Sequence, residues 1–173
     1  MPLGPIATIQ AQLDLLRFGP GAIAGPAGSF GWGSSGSPSD FDELIQSAAE
    51  KNNLDPELIK AVVRTESNFN PNAISGAGAK GLMQIMDFNS RAMGVTNPFD
   101  PAQNIEAGAR ILSGHINRYG DLPKALAAYN AGGPTVDRYG GIPPFRETQT
   151  YVSRVLDALR GYRQQATDTA RQA

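Results

Sequence analysis

The chain has 173 residues, 40% of them hydrophobic, and a formal net charge of −1 from 15 Lys+Arg against 16 Asp+Glu. That is enough for one packed domain, and the balanced charge carries no electrostatic footprint for nucleic acid or an anionic membrane surface. There is no cysteine and a single histidine, His115, which excludes disulfides, thiolate chemistry and Cys- or His-rich metal sites and leaves carboxylates, hydroxyls and amides to carry any catalysis.

No apolar run approaches the ~20 residues of a membrane-spanning helix. The first residues, MPLGPIATIQAQLDLLRF, lack a basic start, and Gln10, Gln12 and Asp14 interrupt their apolar run, so they do not read as a secretory signal. Ile6, Ile9, Leu13 and Leu16 give residues 6–18 a short amphipathic helical pattern. Residues 19–38 follow, ten of the twenty being Gly or Pro, a composition that buries little and reads as a flexible linker. Together they form an N-terminal arm, 1–39.

From Asp40 the pattern turns helical. Asp40 with Glu43 three residues on resembles a capping box, and Phe41, Leu44, Ile45, Ala48 and Ala49 form one stripe. Asp55-Pro56 opens a second helix, with the cap followed by proline at the first helical position. The same pair recurs at Asp100-Pro101, where Ile105, Ala109, Leu112, Ile116 and Tyr119 make a long seam that Gly120 stops. Another helix is expected from about Pro123 to Asn130, ending at Ala131-Gly132-Gly133. A last one carries Tyr151, Val152, Val155, Leu159 and Tyr162, and residues 163–173 read as a polar tail. Strand alternation and internal repeats are absent. The expected fold is all-α, a single helical domain over 40–162.

One position breaks the pattern. Ile59, Val62, Val63 and Glu66 fall at helical spacing, so a carboxylate sits on the stripe that faces the core. Asn68, Asn70 and Pro71 end the helix just beyond it. Burial and the negative end of the helix dipole both disfavour a charge there, and Val62 and Val63 offer no donor; the pKa is expected to rise. A carboxylic acid still protonated near neutral pH suits general-acid cleavage of a glycosidic bond. Pairing with Arg64 or Lys80, or rotation into solvent, is the alternative.

The runs ESNFNPNAISGAGAKGLMQIM, AAYNAGGPTV and GIPPFRETQTYVSRVL resemble the catalytic domain of soluble lytic transglycosylases, lysozyme-like all-α enzymes that cleave peptidoglycan. The resemblance spans about residues 41–160 and does not reach the first forty. It implies that Glu66 is the catalytic acid/base. It also implies that Ser75, Gln84, Met86, Tyr129, Asn130, Glu147 and Tyr151 contact the sugar or shape the cleft. Read singly, each has a structural alternative: Gln84 as a solvated loop residue, Tyr129 and Tyr151 as core tyrosines, the glycines as turns. After GLMQIM the family usually continues with proline. Here stands Asp87, which caps the next helix or supplies a second carboxylate near the cleft.

The implied reaction needs no metal or cofactor. Glu66 protonates the bond between N-acetylmuramic acid and N-acetylglucosamine, then takes the proton of the muramyl 6-hydroxyl as that oxygen attacks, leaving a 1,6-anhydro end. The rivals are a hydrolytic muramidase using Asp87 and a non-catalytic peptidoglycan-binding part of an envelope assembly. Peptidoglycan strands are thus the expected partner, at an extracytoplasmic site. Residues 1–18 are candidates for export or for docking to an envelope machine. A monomer with an open cleft and endo cleavage is expected.

Overall fold

The computed structural model describes residues 37–172. The amphipathic segment at 6–18 and linker residues 19–36 lie outside the described residues. A 3₁₀ turn, Pro38–Phe41, leads into the helices α1 Asp42–Asn52, α2 Pro56–Ser67, α3 Asp87–Met93, α4 Pro101–Tyr119, α5 Leu122–Ala131, α6 Gly133–Tyr139 and α7 Arg146–Gln172. Among the described residues the only β pairing is two isolated bridges, Ile74 with Lys80 and Lys80 with Ile85. The all-α class read from the sequence is what forms.

The start signals act as expected at two helices, and Asp121, not read from the sequence, caps a third. The Asp55, Asp100 and Asp121 carboxylates accept from the backbone N–H groups of Glu57, Gln103 and Lys124 at 2.9, 2.8 and 2.8 Å. Each satisfies a donor that the first turn leaves without a helical partner. Asp40 differs from its expected role. It lies inside the 3₁₀ turn, where its carboxylate accepts from the Ser37 N–H at 2.7 Å, and Phe41 precedes α1 instead.

Two further differences concern helices. Gly132 breaks the chain direction with φ of 85°, and Pro134 in the first turn starts α6, which the Gly-Gly stop had hidden. Past Tyr162, α7 continues as helix to Gln172 with its side chains largely exposed. Arg163 ties that extension to the domain, its Nε donating to the Asp55 carboxylate at 2.8 Å.

α2 packs along α7, and α5 lies against both α4 and α7. Ile59, Val62 and Val63 of α2 meet Leu82, Met83 and Ile85 from the loop before α3, Leu112 of α4, Leu126 of α5 and Val155 of α7 in one buried cluster. The loop segment Leu82–Ile85 is therefore core as much as connection. α4 accommodates it through Gly108, where an added Cβ would stand 2.4 Å from Met83 Sδ and 2.7 Å from Met83 Cβ. Six residues on, Gly114 has nothing within 4 Å of such a Cβ.

Two substitutions in one helix should therefore have opposite signs. Gly108→Ala overpacks against Met83 and is predicted to cost ~1–3 kcal/mol. Gly114→Ala gains helix propensity and is predicted to stabilise by about 0.5–1 kcal/mol. Urea unfolding measures both, and equal signs would contradict this packing.

Candidate active site

Glu66 sits in the last turn of α2, which ends when Asn68 turns into the left-handed region at φ 49°. The ion pairs that could have absorbed its charge do not form. Lys80 instead donates to Asp87 at 2.6 Å, and Arg64 makes no ion pair among the described residues. Facing Glu66 are two aromatic hydroxyls, from Tyr129 of α5 and Tyr151 of α7, with Glu147 one turn before Tyr151.

Burial pushes the Glu66 carboxyl from its ordinary 4.5 up to about 8; the Tyr151 hydroxyl opposes the rise and the negative charge of Glu147 adds to it. As a whole residue Glu66 keeps partial exposure, while the packed atoms around the carboxyl withhold water. Both tyrosines are raised well above 10.0, first by burial and then by the Glu66 charge, so both stay neutral donors. Their hydroxyls are used differently. Tyr129 donates to the Met83 carbonyl at 2.9 Å. Tyr151 comes near Glu66 but short of hydrogen-bond geometry, and its buried hydroxyl has no partner among the described residues.

From the Tyr129 side a cleft of about 700 Å³ opens between α3, α4 and the start of α6. Gln84, Met86, Tyr129 and Asn130 line it. The structure thus gathers the expected residues into two adjoining groups: Glu66, Glu147 and Tyr151 at the α2–α7 contact, and these four in the cleft. Ser75 belongs to neither. Its Oγ accepts from the Ala79 N–H at 3.0 Å and closes the turn between Ser75 and Ala79. Gln84 has a holding task beside its place in the cleft. Its backbone is left-handed at φ 50°, and its Nε2 donates to the carbonyls of Gly81 and Ala73 at 2.9 and 3.2 Å. A residue other than glycine in that region marks stored strain, of the kind that gathers at functional sites.

Asp87 does not cap α3 with its side chain. Met86 is the cap residue, Asp87 is in the first turn, and its carboxylate is exposed. The Lys80 ammonium bonded to it holds its carboxyl below the usual range.

Sequence reasoning missed Asn104. It is buried on α4, and all of its polar atoms hold the cleft floor. Oδ1 accepts from the Met83 N–H at 2.7 Å, and Nδ2 donates to the carbonyls of Pro98 and Lys80 at 2.8 and 2.9 Å. Gly81 leaves room for it, since a Cβ there would lie 2.3 Å from Asn104 Nδ2. The signal was a polar side chain beside the apolar seam of α4. The Ser67 hydroxyl, next to Glu66, adds a second tie by donating to the Leu82 carbonyl at 2.8 Å. The acid and the cleft floor are thereby one rigid piece.

The model of the Transglycosylase SLT domain matches residues 43–152, more than half of the chain. The chain belongs to this family. A transglycosylase of Enterobacteria phage PRD1 is 44% identical over 114 residues, covering 66% of this chain and 41% of the relative. A membrane-bound lytic murein transglycosylase F of Desulfosudis oleivorans is 42% identical over 99 residues, covering 53% and 22%. Among solved structures, an inactive Glu-to-Gln mutant of the lytic transglycosylase Slt from Pseudomonas aeruginosa superposes with a TM-score of 0.65 at 31% identity, over 72% of this chain and 24% of that one. A complex of the 70-kDa soluble lytic transglycosylase with bulgecin A gives 0.67 at 28% identity, over 73% and 24%. The chain thus spans less than half the length of these relatives. The SLT domain match covers Glu66, both tyrosines, Asn104 and Glu147.

Two predictions test the site. Asn104→Ala strands the buried Met83 N–H and frees two carbonyls; a loss of ~3 kcal/mol is expected, or a fall in Tm of about 10 °C. A change below about 3 °C would show that the floor does not depend on Asn104. The second concerns pH. Folded Glu66 keeps its proton to about 8, whereas the unfolded chain releases it near 4.5. Between these values the folded state binds more protons, so the group's contribution is full at low pH and is lost as pH rises through the folded value. Glu66→Gln cannot ionise. Its Tm is predicted to match the wild type near pH ~4 and to exceed it increasingly toward pH ~9. A difference that does not change with pH would contradict the buried acid.

Proposed function

We propose that this SLT domain is a peptidoglycan lytic transglycosylase in which Glu66 is the sole acid and base. The observation that carries the reading is a carboxyl still protonated at neutral pH, set beside a buried tyrosine hydroxyl that has no partner among the described residues. Protonated Glu66 donates to the glycosidic oxygen between N-acetylmuramic acid and N-acetylglucosamine, and the bond from that oxygen to the anomeric carbon breaks. Developing positive charge at the sugar is stabilised by the carboxylate that remains. That carboxylate removes the proton of the muramyl 6-hydroxyl as its oxygen bonds to the anomeric carbon. The acid is regenerated, the product is a 1,6-anhydromuramyl end, and no water enters. An attacking group carried by the substrate needs no second carboxylate to activate it.

Tyr151 supplies a neutral hydroxyl beside the reacting carboxyl; burial keeps the acid protonated before the bond breaks, and the charge of Glu147 adds to that effect. Asn130 offers the cleft an uncharged amide suited to an acetamido group, and Met86 offers it an apolar wall. The arrangement does not favour hydrolysis through Asp87, whose carboxylate is bonded to Lys80 and turned to solvent. The place of action follows from the substrate: the cell wall, outside the cytoplasm. No helix among the described residues is long and apolar enough to cross a membrane.

Digestion of purified peptidoglycan tests the reading. The wild type is expected to leave muramyl ends one water lighter than hydrolytic ends, and Glu66→Gln to lower their rate by at least ~10³-fold, as loss of the only acid and base requires. Reducing muramyl ends from the wild type, or an active Glu66→Gln, would overturn it.

A further inference from the structure

The cleft has two unlike walls. Met86, Phe88 and Met93 make one of them apolar, and Phe88 remains 42% exposed. The α4 wall opposite carries Arg110, His115 and Arg118, while among the described residues no aspartate or glutamate lines the cleft. The three basic residues are not equivalent. Arg118 is committed, its Nη2 bonded to Asp137 at 2.6 Å and its guanidinium stacked over Tyr119. His115 is held below its ordinary 6.5, first by burial and then by the charge of Arg118, so it is neutral at pH 7. Arg110 is exposed and makes no ion pair among the described residues.

A guanidinium that faces the cleft and that no carboxylate among the described residues engages is open to an anion carried by the ligand. The sugars of the glycan are uncharged; their hydroxyl and acetamido groups ask only for hydrogen bonds. Negative charge on peptidoglycan is carried by the carboxylates of the stem peptides that hang from the muramyl lactyl groups. We propose that Arg110 binds a stem-peptide carboxylate while the sugar chain lies along the apolar wall. The domain thereby prefers strands with free stem carboxylates over strands in which these are amidated. This specificity rests on the peptidoglycan reading above. Arg110 recognises the substrate and takes no part in bond breaking.

The test uses the full chain and soluble strands with the same glycan, differing only in amidation of the stem carboxylates. Binding is measured in a Glu66→Gln background, so that no strand is consumed, and release of anhydromuramyl ends is measured with Glu66 intact. The free-carboxylate strand is expected to bind about fivefold more tightly than the amidated one, the size of one modest charge pair. Arg110→Ala should abolish that difference, raising KM on the free form while leaving kcat unchanged, and Arg110→Lys should keep part of it. Equal binding of the two strands, or an Arg110→Ala loss of the same size on both, would overturn the proposal. Denuded strands expose a lactyl carboxylate in place of the stem. They are expected to bind like the amidated form, and binding as tight as the free form would move the anion to the lactyl group and overturn the stem assignment. Failure of the cleavage reading looks different: no anhydromuramyl ends from any strand, whatever their binding.

Discussion

A carboxyl withheld from water at the end of α2 is the constraint around which this domain is built. An isolated ionised carboxylate in such a place is costly, and no cation among the described residues offsets it. The consequence is a group that keeps its proton. Lys80, the lysine that the sequence offered as a partner, is engaged by Asp87 instead. Glu147 adds negative charge and the apolar flank of α2 adds no donor, so each neighbour pushes the same way, with Tyr151 alone opposing. A strained or unsatisfied group persists only when the surrounding packing over-determines it. Here α2 and α7 supply that packing, with Val62, Val63 and Val155 fully buried around the site.

The second requirement is a substrate surface held in register with the acid. It comes from the loop between α2 and α3, which is irregular yet buried. Such a loop must account for its own backbone groups. Asn104 takes up two of them, Gln84 two, Ser75 one and Ser67 one. The positions that the family resemblance implies for sugar contact and those that hold the loop thus overlap. Gln84 and Ser75 each have a structural bond in the free protein, and what they offer a glycan is the hydrogen-bonding capacity left over. Tyr129 is likewise shared, bonded to Met83 and facing both Glu66 and the cleft.

The helices were legible because their ends are written locally. Asp-Pro pairs at 55–56 and 100–101 name both a cap and a first turn, and the apolar stripes follow at the expected period. Glu66 was legible for the opposite reason, as a charge where the stripe calls for an apolar residue. What sequence hid depends on partners distant along the chain. Asn104 looks like a polar surface residue until Met83, Lys80 and Pro98 come to meet it. α6 was masked by two glycines that read as a stop, although Pro134 was also a start. The extension of α7 past Tyr162 has no apolar stripe to announce it; Arg163 anchors it to Asp55, more than a hundred residues away. Arg110 reads as one more surface arginine, and only the cleft around it gives the charge a meaning.

The proposed cleavage depends most directly on the protonation state of Glu66 in the folded protein. Carbon-13 NMR of the side-chain carboxyl, assigned by its loss in Glu66→Gln, follows that state against pH. A midpoint near 8 is predicted, far above the 4.5 of an ordinary glutamate. A midpoint at the ordinary value would mean that water reaches the carboxyl freely, and Glu66 would then lack the proton that the proposed cleavage begins by donating.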